Sequence, residues 1–224
     1  MTDPNHPHGD QPVLAAGAAA DAARAAMILV HGRGASARSI LTLAQELDRP
    51  DFAYLAPQAA RSTWYPYSFL APVAQNEPYL SSALRRLGEV LGRVEAAGIP
   101  PERIMLLGFS QGACLASEFA ARHPRRYGGI VALSGGLIGP PGIPFQHDGD
   151  FQGTPAFLGC SDVDPHIPEE RVHETARILR DMNADVTARI YPGMGHTVNA
   201  DELEAVRQMM DRLAEAAGEE ADDE

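Results

Sequence analysis

The feature that most constrains this chain is the run Ile104-Met-Leu-Leu-Gly108-Phe109-Ser110-Gln111-Gly112-Ala113-Cys114-Leu-Ala-Ser117. An apolar stretch breaks there at Gly-Phe-Ser-Gln-Gly and resumes with small, helix-compatible residues. It reads as a strand, a sharp turn and a helix. A serine at the centre of G-x-S-x-G sits on a turn so tight that only glycines tolerate the approach of strand and helix, and its hydroxyl is left exposed above the sheet. Ser110 is therefore a candidate nucleophile. The competing reading is an ordinary turn serine, and the strand-then-helix context favours the first.

A hydroxyl needs a base and an orienting carboxylate before it can attack an ester at neutral pH. With this kind of turn the expected chain order is nucleophile, acid, histidine, each later residue in the loop after its own strand. Pro155-Ala-Phe-Leu-Gly-Cys160 runs into Ser161-Asp162-Val163-Asp164-Pro165-His166, where two aspartates compete for the acid role. Asp164-Pro165 fixes a turn just beyond the strand end and lets the carboxylate point back, which favours Asp164; Asp162 then braces the turn. Val186-Thr-Ala-Arg-Ile-Tyr191 alternates and yields Pro192-Gly193-Met194-Gly195-His196, so His196 is the candidate base among eight histidines. His6, His8, His123, His147 and His173 do not follow a strand in that order, and His31 follows one but precedes Ser110.

Acyl transfer also needs donors for the developing oxyanion. His31-Gly32-Arg33-Gly34 follows the apolar run Ala26–Val30, and its glycines let the backbone turn amides toward the space above Ser110. The expected donors are the main-chain N–H groups of Arg33 and Gln111. The Arg33 side chain is read as either solvent-directed or in contact with substrate.

The chain resembles the small phospholipase/carboxylesterase group of α/β-hydrolases, which includes the acyl-protein thioesterases. The resemblance covers roughly residues 12 to 215. It rests on His-Gly-Arg-Gly (31–34), Gly-Phe-Ser-Gln-Gly (108–112), Leu-Ser-Gly-Gly (133–136), Asp-Val-Asp-Pro-His-Ile-Pro (162–168) and Gly-Met-Gly-His (193–196). It implies Ser110, Asp164 and His196 as a triad, the Arg33 and Gln111 amides as oxyanion donors, and an ester-hydrolysing enzyme without a cofactor. The stretch Trp64-Tyr-Pro-Tyr-Ser-Phe-Leu70 departs from the acyl-protein thioesterases proper and looks like a bacterial branch of the group.

Periodicity agrees with that architecture. Candidate strands lie near 12–16, 26–31, 52–56, 103–109, 128–134, 155–160 and 186–191, separated by helices near 38–48, 79–97, 111–122, 168–183 and 200–217. Such alternation gives an α/β fold, a mostly parallel central sheet flanked by helices, here with no large cap domain. The 224 residues, 45% hydrophobic, suffice for one well-buried domain over 12–217. A flexible N-terminus over 1–11 and an acidic tail over 218–224 are expected to flank it.

The net charge of −12 and the lack of a basic stripe argue against nucleic acid and against anionic membranes as partners. No exported leader is expected, because Asp10, Asp21 and Arg24 interrupt the alanine-rich start, and the default location is cytoplasmic. Cys114 and Cys160 are expected as free thiols. Asp162, Asp164 and His166 lie within five residues, but no second His pair accompanies them, so no metal is expected. The expected substrate is a small-molecule ester of short to medium acyl chain, bound in a pocket lined by Trp64, Leu137, Ile138 and Met194. The apolar loop over 64–73 is also a candidate homodimer surface. Thioester hydrolysis, a lysophospholipase-like activity and a non-catalytic receptor are the alternatives.

Overall fold

A computed structural model of the chain describes residues 3–47 and 49–222, with side chains to residue 215. Seven strands form one sheet: β1 (Val13–Gly17), β2 (Ala25–Val30), β3 (Phe52–Pro57), β4 (Ile104–Phe109), β5 (Gly129–Leu133), β6 (Pro155–Ser161) and β7 (Asp185–Tyr191). Their order is β1-β3-β2-β4-β5-β6-β7. Only β1 runs antiparallel, against β3; every other pairing is parallel.

The strands are apolar on both faces because helices cover both. In β2, Ala26, Ile28 and Val30 enter one core while Ala25, Met27 and Leu29 enter the other. The first core is closed by α3 (Tyr79–Ala96), α4 (Gln111–Arg122) and α5 (Glu169–Asp181). The second is closed by α1 (Ala37–Ile40), α2 (Thr42–Leu47) and α6 (Ala200–Asp222). Parallel pairing points the ends of β2, β4, β5, β6 and β7 in one direction, so the loops that carry 31–36, 110, 134–139, 162–168 and 192–199 emerge at one edge. In such sheets the carboxyl edge is where ligands bind.

Three expectations are corrected. The helix expected over 38–48 is two short helices that part at Leu41, where the Thr42 hydroxyl takes the Ser39 carbonyl at 2.7 Å and competes with the helical bond; Asp48 lies outside the described residues. The N-terminal stretch is packed over residues 3–11, residues 1–2 being outside the description. His8 is fully buried, accepts from Ala60 N at Nδ1 (3.0 Å) and donates from Nε2 to the Trp64 carbonyl (2.9 Å). His6 contacts the Ser82 hydroxyl at 2.9 Å and Glu89 at 3.1 Å. Helix α6 continues to Asp222, through the expected boundary at 217, while residues 223–224 lie outside the description.

Candidate active site

The turn at Ser110 is as tight as its glycines require. A Cβ on Gly108 would come within 2.2 Å of Gly112 O, and one on Gly112 within 2.0 Å of Val30 O. Ser110 sits between them at φ 56° and ψ −121°, a conformation that costs a non-glycine residue of the order of 1–3 kcal/mol. Its N–H bonds Leu133 O at 2.9 Å and its C=O accepts from Cys114 N at 3.0 Å, so the strained residue is held from both sides.

His196 Nε2 lies 2.8 Å from Ser110 Oγ and His196 Nδ1 lies 2.7 Å from Asp164 Oδ2. A carboxylate only accepts, so the Nδ1 proton points to Asp164 and Nε2 is free to accept from the serine hydroxyl. The other Asp164 oxygen accepts from His166 N at 2.9 Å and Ile167 N at 3.1 Å. Burial of the Asp164 side chain raises its pKa, but the hydrogen bonds and the facing imidazole outweigh this and leave it below the ordinary carboxylate value. Phe109 and His166 flank the imidazole, each with its ring centroid 4.9 Å away. Asp162 is not in this chain. Its Oδ1 accepts from Gly193 N at 2.7 Å, so it braces the loop that carries His196.

Arg33 and Gln111 both line the space beside Ser110. Among the described residues the Gly34 and Ala35 amides bond Ser62 O and Gly32 O, whereas the Arg33 and Gln111 amides have no acceptor. Gln111 N is the first amide of α4, where the helix leaves its N–H groups unpaired and its dipole favours negative charge.

The cavity over Ser110 measures about 470 Å³ and is lined chiefly by Tyr65, Tyr67, Phe69, Phe109, Cys114 and Ile167 beside the residues already named. The expected pocket is corrected here. Trp64 is fully buried, with its indole N–H on His31 O at 2.8 Å and its backbone N–H on Gln111 Oε1 at 2.9 Å. Leu137 and Ile138 are core residues, at 0% and 2% exposure. Met194 is half-buried beside Asn199 and does not line the cavity. The neighbouring residues Tyr65, Tyr67 and Phe69 supply the wall instead.

Two side chains that sequence reasoning left open or passed over hold this wall in place. The Arg33 guanidinium donates to the carbonyls of Tyr65 (2.9 Å), Pro66 (2.9 Å) and Tyr67 (2.7 Å). The Gln111 side chain, besides accepting from Trp64 N, donates to Tyr65 O at 2.8 Å. A third missed residue is Glu202, fully buried, whose Oε2 accepts from Asn199 N at 2.9 Å while Asn199 Oδ1 accepts from Glu202 N at 2.9 Å. That reciprocal cap starts α6 just after the His196 loop, and the spacing Asn-x-x-Glu before an apolar run is its sequence signal. Burial pushes the Glu202 carboxyl up to about 7. Cys114 and Cys160 are buried and unbridged. Among the described residues no group of three or more His, Cys, Asp or Glu is arranged to hold a metal ion, and no helix is long and apolar enough to cross a membrane.

A parallel sheet with one antiparallel edge strand and a strained serine at its carboxyl edge define the α/β-hydrolase fold, here with no cap domain among the described residues. More particularly, residues 13–213 match the family model for Phospholipase/Carboxylesterase, and the chain belongs to that family. It is 41% identical over 110 residues to acyl-protein thioesterase 1 of Saccharomyces cerevisiae, covering 48% of this chain and 48% of that protein. It is 30% identical over 149 residues to a probable carboxylesterase of Oryza sativa subsp. japonica, covering 66% and 63%. The match thus spans about half the length of the yeast relative. Among solved structures, the phospholipase/carboxylesterase of Dyadobacter fermentans DSM 18053 superposes with a TM-score of 0.86 at 45% identity, covering 90% of this chain and 96% of that one. The Bacillus cereus carboxylesterase shares the fold, with a TM-score of 0.73 at 19% identity.

Proposed function

We propose that the protein is a serine carboxylesterase that cleaves short to medium acyl esters through an acyl-serine intermediate. The observation that carries this reading is the continuous chain from Ser110 Oγ through His196 to Asp164, opening on the cavity. His196 Nε2 takes the hydroxyl proton as Ser110 attacks the ester carbonyl, and returns it to the leaving alcohol. Asp164 holds the imidazole and stabilises its charged form without taking the proton. The Arg33 and Gln111 amides stabilise the oxyanion; one such donor is worth about 3 kcal/mol in the transition state. Water activated by His196 then releases the acid. No cofactor enters this sequence.

The space offered to the acyl group is the cavity of about 470 Å³ lined by Phe69 and Ile167 among others. The test is hydrolysis of a p-nitrophenyl ester series from acetate to palmitate, with Ser110→Ala in parallel. A Ser110-dependent rate that peaks at short to medium chains is expected. Activity confined to chains above about twelve carbons, or activity retained in a folded Ser110→Ala variant, contradicts the proposal. The name of the yeast relative favours a second reading, acyl thioester hydrolysis, which uses the same intermediate. Matched oxyester and thioester substrates separate the two.

A further inference from the structure

One polar ring beside His196 has no role in the chemistry described so far. His166 lies on the loop that follows β6 and lines the cavity over Ser110. Its ring stands edge-to-face on the His196 imidazole, with centroids 4.9 Å apart and planes at 77°. His196 Nε2 is in turn 2.8 Å from Ser110 Oγ, so His166 stands one ring away from the nucleophile. Its backbone is held there. Pro165 stiffens the chain just before it, and the His166 N–H donates to Asp164 Oδ1 at 2.9 Å. The residue is exposed, and among the described residues its two ring nitrogens have no hydrogen-bond partner.

The direction of the proton transfers decides which part of a substrate meets this ring. His196 Nε2 returns its proton to the leaving alcohol, so the ester oxygen of the alcohol comes to lie against Nε2. The carbonyl oxygen is meanwhile committed to the amides of Arg33 and Gln111. The alcohol part therefore starts beside the His196 ring, whose flanking rings are Phe109 and His166. One of these is apolar, and the other exchanges hydrogen bonds. A hydroxyl two carbons beyond the ester oxygen is three bonds of about 1.5 Å away, a reach of roughly 3.6 Å that leads from one imidazole toward the other. Other polar side chains of the cavity are engaged: Arg33 by three wall carbonyls, Gln111 by Trp64 N and Tyr65 O, and Ser68 Oγ by Leu70 N.

Hydrogen-bonding capacity narrows the partner further. A neutral imidazole offers one N–H donor and one nitrogen acceptor, and a hydroxyl both accepts and donates. A carboxylate or phosphate only accepts, and the net charge of −12 works against bringing an anion to the cleft. An alkyl chain would cover the ring nitrogens and return no hydrogen bond. An uncharged hydroxyl is the match.

We propose that His166 is a specificity-determining residue for the leaving group: its ring shares a hydrogen bond with an uncharged hydroxyl on the alcohol, so the preferred substrates are esters of diols and polyols rather than of plain alkanols. This rests on the acyl-serine reading of the same site. The probes are 2-hydroxyethyl butanoate and propyl butanoate, equal in heavy atoms and differing by a terminal hydroxyl in place of a methyl. Both form the same butanoyl-Ser110, so a difference in kcat/KM arises in binding or in the step that expels the alcohol. Dividing by the ratio of their hydroxide-catalysed rates removes the intrinsic reactivity of the two alcohols. Wild-type enzyme is then expected to favour the hydroxyethyl ester about threefold to tenfold, as one net hydrogen bond allows. His166→Phe, which keeps a ring against His196 and removes both nitrogens, is expected to bring the corrected ratio to about one, since that hydrogen bond is gone. A wild type without the preference overturns the proposal whatever the variant does. So does a His166→Phe variant, shown folded by its melting temperature, that keeps the wild-type ratio. Absence of Ser110-dependent hydrolysis of both esters overturns the acyl-serine reading itself, an outcome distinct from equal rates on the two.

Discussion

On one side of the cleft His196 and Asp164 stand on loops that follow β7 and β6, Asp164 oriented by His196 and by two backbone amides, His196 by Asp164 and the Ser110 hydroxyl. On the other side Tyr65, Tyr67 and Phe69 stand on an irregular loop, whose backbone is tied down by side chains from two other segments, Arg33 and Gln111. On the proposed reading the first side carries the chemistry, and it is fixed by the sheet. The second carries shape and is fixed by a few long-range bonds. On that reading, reaction type and substrate range can vary independently: the proposed triad depends on strand ends set in the core, and the wall depends on the side chains of Arg33 and Gln111.

The comparison breaks most visibly if the triad side proves dispensable. His196→Ala is expected to lower kcat on a p-nitrophenyl ester by about 10³- to 10⁴-fold, and Asp164→Asn by a similar factor through the wrong imidazole tautomer. Steady-state kinetics on folded protein check both, and losses below tenfold would sink the assignment. On the wall side, Gln111→Leu removes two backbone partners of Trp64 and Tyr65 while keeping the main-chain amide. It is expected to cost about 1–3 kcal/mol of stability and to change KM more than kcat, because the buried Trp64 N–H is orphaned and Tyr65 O keeps only its bond from Arg33. Denaturant melts with kinetics on the same variant decide it; an unchanged KM with a large fall in kcat would place Gln111's side chain on the chemical side instead.

Two pH predictions sharpen the contrast. Burial lowers the pKa of His8 and His31 from 6.5, and each accepts a backbone N–H of the wall loop, from Ala60 and Ala59 respectively. The unfolded chain binds these protons near 6.5 and the folded one only at lower pH, so stability must fall as pH drops below about 6.5. Thermal melts from pH 7.5 to 5.5 on Glu202→Gln, which lacks the opposing titration of that buried carboxyl, are expected to show that fall, and adding His8→Gln to reduce it; a flat Glu202→Gln profile over this range would refute it. Glu202 works in the opposite sense. Its folded pKa is raised to about 7, so the folded state holds a proton that the unfolded state loses near 4.5, and stability drops as pH rises between these values. Glu202→Gln keeps an acceptor for Asn199 N and is expected to gain stability relative to wild type, by about 1–3 kcal/mol, between pH 5 and 8. A constant difference across that range would show that Glu202 is not titrating.

The same contrast explains what was legible in the sequence. The seven strands, the elbow at Ser110 and the approach of His196 to Asp164 follow from apolar runs that end in Gly- and Pro-containing loops in a fixed order, a one-dimensional signal. The wall carries no periodicity. Nothing in Trp64-Tyr65-Pro66-Tyr67 says that the tryptophan turns inward onto His31 O and the tyrosines line the cavity, because Gln111, some 46 residues away, sets that orientation. His8 was misread for a related reason. A Pro- and His-rich start looks mobile by composition, yet one ring with a donor and an acceptor satisfies two backbone groups of the loop at once. Glu202 was readable as a cap at Asn199, but its burial depends on the missing side chain of Gly159, where a Cβ would lie 2.2 Å from Glu202 Oε1.

Treating the protein with a fluorophosphonate and locating the adduct by peptide mass spectrometry asks whether Ser110 is the residue acylated in turnover, as proposed. One phosphonate per chain is expected, on Ser110, with matching loss of esterase activity and no adduct in Ser110→Ala. Full ester hydrolysis with Ser110 unlabelled, or an adduct on another residue that tracks the loss of activity, would contradict it.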